Sequence, residues 1–118
     1  MFKLNLLNKQ WEIAYLGCIK KGSIIILGGP FTNYSNDFVI IPPNILMKLL
    51  VFCVKNDLSP IIIHNHTNNS SFSIPDRNFL KSIEEIYYRN GGSKFIYLGL
   101  INSKTGDSKV ICNKSRRK

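Results

Sequence analysis

The sequence predicts a single mixed α/β domain, a sheet with two main helices packed on it. Three observations lead there. Short runs rich in β-branched and aromatic residues, bounded by turn residues, recur along the chain. Two longer segments carry apolar residues at helical spacing. The order is hairpin, helix, strand, helix, hairpin, and 118 residues are one domain's worth.

The elements follow in order. "WEIAYLGCI" (11–19) reads as a strand, "KKG" as a turn and "SIIILGG" (23–29) as the returning strand. "GPFTNYSND" is loop and "FVII" (38–41) a short strand. In "PPNILMKLLVFCVKND" (42–57) the prolines suit a helix N-terminus. Ile45, Leu46, Leu49, Leu50, Phe52 and Cys53 leave that helix little polar surface, so it is expected to be well buried. "SPIIIHNH" (59–66) is an apolar run after a proline and reads as a buried strand. After the loop 67–72, a second helix runs from Ser73 to about Asn90 and stops at Gly91 and Gly92. Phe79, Leu80, Ile83, Ile86 and Tyr87 form its apolar stripe, with Lys81, Glu84, Glu85 and Arg89 largely outside it. "KFIYLGLIN" (94–102) and "SKVIC" (108–112) close the domain as a hairpin. The domain spans 1–112, and 113–118 is a basic tail.

A net charge of +9, from 16 basic and 7 acidic residues, suits an acidic partner or nucleic acid. The basic residues are scattered except for Lys114, Arg116, Arg117 and Lys118, so the charge reads mainly as solubility and steering. Cys18, Cys53 and Cys112 are odd in number, form no C-x-x-C and sit among apolar residues. They read as buried thiols in a reducing compartment. The start "MFKLNLLNKQ" has no leader-like apolar core, and no run approaches the roughly 18–20 apolar residues of a spanning helix. A soluble cytoplasmic protein with no membrane partner is the expectation.

The chain's two histidines, His64 and His66, stand one residue apart at the end of an apolar run. Strand residues i and i+2 share a face, so both rings can grip one divalent cation. Asp76, ten residues on at the start of the second helix, is the nearest third ligand. A lone H-x-H is weak, and Ser73-Ile74-Pro75-Asp76 also reads as a helix capping box. Asp76 is not expected to serve both uses fully. Of the seven acids only Glu12 lies inside an otherwise apolar strand. It either faces solvent on an edge or turns its carboxylate toward the cation site.

Glu12 in "EIAYLG", His64-Asn65-His66 and Ser73-Ile74-Pro75-Asp76 together resemble the signature of the JAMM family, also called JAB or MPN+ metalloproteases. That signature is a glutamate in an early strand, then H-x-H, a loop and S-x-x-D. The resemblance covers roughly residues 11–112. The chain departs from the pattern in carrying Thr67 where proline usually follows the second histidine. Its loop has six residues instead of seven, and little precedes the glutamate strand.

The resemblance implies a curved JAB/MPN-like sheet and a zinc-dependent isopeptidase or peptidase. His64, His66 and Asp76 would hold zinc, Glu12 would act as general acid/base, and Ser73 would hydrogen-bond the oxyanion. It implies a ubiquitin-like protein or its conjugate as substrate, with an extended tail that could add to an exposed strand edge. Two other readings share the fold: a RadC-like protein associated with DNA, and a binding module without the metal. The letters "HNH" do not make the nuclease motif of that name, whose residues spread over two strands and a helix.

Overall fold

A computed structural model describes residues 6–113 of the chain. The hairpin β1 (Ala14–Lys20) and β2 (Ser23–Phe31) turns through Lys21 and Gly22, both at positive φ, which matches the twist of the flanking strands. Then come α1 (Pro43–Asn56), β3 (Ser59–His66), α2 (Ile74–Arg89), β4 (Tyr97–Asn102) and β5 (Ser108–Ile111). The five strands form one mixed sheet in the order β2-β1-β3-β4-β5. Only β3 and β4 run parallel, with α2 as their crossover. The radius of gyration, 13.6 Å, is that of one compact domain of about 100 residues.

The strands' period of two assigns the sheet's faces. Leu16, Cys18, Ile62 and Leu98 meet Leu49, Leu50 and Cys53 of α1 and Leu80, Ile83 and Tyr87 of α2. This is the main core, and both helices lie on that face. Opposite, Ile61 and Ile63 pack with Leu6, Ile13, Trp11 and Tyr97, so the segment before β1 covers the second face. Pro43 opens α1 and Asp57 closes it in the left-handed region (φ 55).

Several expectations change. The strand expected over 11–19 begins at Ala14, which leaves Glu12 in the segment before it. The Glu12 N–H turns instead to the Ser35 carbonyl at 2.7 Å. Residues 38–41 form no strand and pair with none, and the Ile40 N–H goes instead to Asn33 Oδ1 at 3.2 Å. α1 buries only Leu49, Leu50 and Cys53 and leaves Met47, Val51 and Phe52 exposed, because the sheet covers one stripe of it. Glu84 is buried, with its Oε1 accepting the Asn113 amide at 3.0 Å. Cys18 and Cys53 are buried but Cys112 is only partly so. The β4 strand starts at Tyr97 and not at 94, since the Lys94 N–H is drawn to the Tyr87 hydroxyl. The basic tail lies outside the described residues from 114 onward. No described helix is long and apolar enough to cross a membrane.

Candidate metal centre

β3 ends on His64-Asn65-His66, and the pleat sends both rings to the helix-bearing face while Asn65 goes through to the other. His64 lies directly across from Ala14 of β1, whose methyl leaves room for the ring. The loop 67–72 then folds the start of α2 back over the strand end. It is held there by Asn102 Nδ2 donating to Ser70 Oγ at 2.9 Å and by the Phe72 ring against His64. α2 opens with a complete capping box. Ser73 Oγ accepts the Asp76 N–H at 3.1 Å, and Asp76 Oδ2 accepts the Ser73 N–H at 2.8 Å.

The same carboxylate meets both imidazoles. Asp76 Oδ1 lies 3.2 Å from His64 Nε2, and Oδ2 lies 3.1 Å from His66 Nε2. The carboxylate caps α2 and meets both imidazoles at once, because an ionised carboxylate has lone pairs for several donors. The two Nε2 atoms are 3.3 Å apart. Tetrahedral zinc with ligands at about 2.0–2.1 Å sets neighbouring ligand atoms about 3.3–3.4 Å apart, close to the Nε2–Nε2 spacing and to each ring's distance from its own oxygen of Asp76.

The outer ring nitrogens decide what the inner ones offer. His64 Nδ1 lies 3.2 Å from the Gly99 carbonyl oxygen, which can only accept. His66 Nδ1 lies 2.9 Å from Asn69 Oδ1, an oxygen oriented by the Ser71 N–H it also accepts at 3.1 Å. Both Nδ1 atoms therefore carry protons, and in the neutral rings both Nε2 lone pairs point at each other and at the carboxylate. Lone pairs so placed need protons or a cation among them, and a metal-ligating histidine is oriented by this kind of outer hydrogen bond. Without a metal, the carboxylate's hydrogen bond leads in raising the His66 pKa above its ordinary value. Burial pushes the Asp76 pKa upward, but the hydrogen bonds from His64 and His66 outweigh it and hold the carboxyl well below its usual range.

Glu12 reaches the same place from the other side. It is 7% exposed, and its carboxylate lies with His64 and His66 in a group whose ligand atoms are all within 4.8 Å of one another. This buried Glu/His/His group could itself hold a metal ion. Burial raises the Glu12 pKa, the two histidines lower it, and Asp76 and Asp37 add to the rise, so the net shift is upward. Ser73 lines the same cavity as Glu12, His64, His66 and Asp76.

The residues the sequence did not flag hold this geometry from behind. Asn65, fully buried, accepts the Ile13 N–H at 2.5 Å and donates to the Trp11 carbonyl at 3.0 Å and to Ser103 Oγ at 2.7 Å. It grips the residues on both sides of Glu12. A polar residue on a face otherwise built of Ile61 and Ile63 was its only signal. Gly99 and Asn69, which set the ring tautomers, had none. No family model matches the chain, and a search of curated proteins finds no match.

Proposed function

We propose that this protein is a zinc-dependent peptidase or isopeptidase of the JAMM type. The observation that carries this is the convergence of two imidazole Nε2 atoms and a carboxylate at 3.1–3.3 Å, with both outer ring nitrogens committed elsewhere. His64, His66 and Asp76 would hold the ion. When bound, a zinc ion acidifies water and polarises a carbonyl. Glu12 takes the proton of the attacking water as its oxygen bonds to the carbonyl carbon. It returns that proton to the departing amine as the C–N bond breaks, and the second proton of the water passes from the new carboxylic acid to the amine, leaving a carboxylate and an ammonium. An upward-shifted pKa suits a group that must both accept and release a proton. Ser73 Oγ already accepts the Asp76 N–H, so its own proton is left to donate to the developing oxyanion. The substrate we infer is a ubiquitin-like protein or its conjugate, whose thin tail can approach along the free edge of β2.

The net charge of +9 favours one second reading, a RadC-like protein that engages DNA. Against it at this site, no lysine or arginine lines the cavity. Steeply salt-dependent DNA binding without peptide hydrolysis would favour that reading.

Metal analysis and zinc titration of the purified protein test the proposal. The wild type should bind one equivalent, and His64→Ala should weaken binding by about a hundredfold or more. Glu12→Gln should keep the ion and lose cleavage of ubiquitin-like fusions by about 10²–10⁴-fold. A wild type that takes up no divalent ion would sink the proposal.

A further inference from the structure

The cavity that holds the metal centre does not end there. It encloses about 460 Å³ and runs from the histidines along the helix-bearing face of the sheet. Its apolar floor is Ile62 and Leu98, register partners in the parallel β3–β4 pair. Phe79 of α2 walls it, and Phe38, Val39 and Ile41 from the segment before α1 face it from the other side. We propose that this cavity is a recognition pocket for one large apolar side chain, aromatic or branched aliphatic, carried by the residue that flanks the bond to be cut.

Three features commit it to that occupant. The first is charge. The carboxylates that line it, Glu12, Asp76 and Asp37, belong to the metal end, where the first two meet the rings and Asp37 is close enough to perturb Glu12. No lysine or arginine lines it, so an anionic side chain seated at its apolar end, away from the histidines, finds no counter-charge there.

The second is size. At about 460 Å³ the void falls among pockets of about 300–1,000 Å³, which take a whole large side chain. The third is continuity: the same void is lined by the metal-centre residues and by the apolar floor, so a group seated in it lies beside the reacting bond. That flanking role rests on the hydrolytic reading above; the pocket's preference for an apolar side chain does not.

The test uses the full chain, with and without zinc, and the N-acetyl amides of phenylalanine, leucine, glycine and glutamate as probes. Methyl resonances of Ile41, Ile62 and Leu98 report binding. The phenylalanine and leucine amides should bind about tenfold or more tighter than the glycine amide. In the metal-free protein the glutamate amide should bind no better than glycine. Val39→Asp, a change in the segment before α1 outside the proposed ligand set, should erase that preference and leave the zinc titration unchanged.

Equal binding of phenylalanine and glycine amides, or shifts confined to the exposed face of α1, would overturn the inference. The wild-type comparison alone decides this if Val39→Asp does not fold. Zinc uptake without side-chain preference removes the pocket and keeps the hydrolytic reading. Side-chain preference without zinc uptake supports the pocket and removes the hydrolytic reading.

Discussion

Asn65 sits between the two histidines yet works on the opposite face of the sheet, where it ties Trp11, Ile13 and Ser103 together. Asn65→Ala strands the buried Ile13 N–H and Trp11 carbonyl, and should cost about 2–4 kcal/mol in denaturant unfolding. The ionisable residues of the site predict a pH signature. For the metal-free protein, the depressed Asp76 pKa contributes stability above the ordinary value of 3.8, lost as pH falls below it. The raised Glu12 and His66 pKa values contribute stability present below their ordinary 4.5 and 6.5, lost as pH rises through the shifted values. The melting temperature in a chelator should therefore peak in mildly acidic buffer and decline through neutrality. With zinc the slope should reverse, because ligand nitrogens must shed protons to bind. Parallel profiles with and without zinc would count against a metal at these residues.

At the scale of elements, β1 holds the Glu12 segment beside the histidines of β3, and it is itself flanked closely by β2 and β3. Its Gly17 has no room for a side chain, since an added Cβ would meet the Ile25 carbonyl oxygen of β2. Gly17→Ala should destabilise by about 1–3 kcal/mol, read by thermal melting, because the obstacle is backbone and cannot swing aside. The elements themselves were largely legible in the sequence. α2 runs Ile74–Arg89 against an expectation of Ser73 to about Asn90, because Ser73, Pro75 and Gly91 punctuate it locally. Residues 38–41 were misread because β-branched residues make a strand only where a neighbour offers hydrogen bonds. Glu84 was misread because helical periodicity marks a stripe but not the stripe's width.

Over the whole molecule, β2 is an outer strand with Ile24, Ile25 and Leu27 substantially exposed. Exposed apolar edges template self-association, and a net charge of +9 opposes it by repulsion. Light scattering should show association growing as salt screens that charge, and Ile24→Lys should suppress it with little change in melting temperature. An Ile24→Lys protein that associates as readily as wild type would place the contact elsewhere, with the exposed Met47, Val51 and Phe52 of α1 the next surface to test.

The sequence by itself determined the class of fold and a short set of chemistry-bearing residues. Both depend on local order: period two along β3 puts His64 and His66 on one face, and Ser73-x-x-Asp76 marks a helix start. Only the tertiary structure decided how those residues meet. The β1–β3 pairing brings Glu12 to the histidines from some fifty residues away, and a backbone carbonyl of β4 selects the His64 tautomer. The loop 67–72 lands Asp76 on both rings while its carboxylate still caps α2. The cavity beside them is walled by five separate segments. Pairing partners and enclosed space are relations between distant segments, and a local pattern carries no record of them.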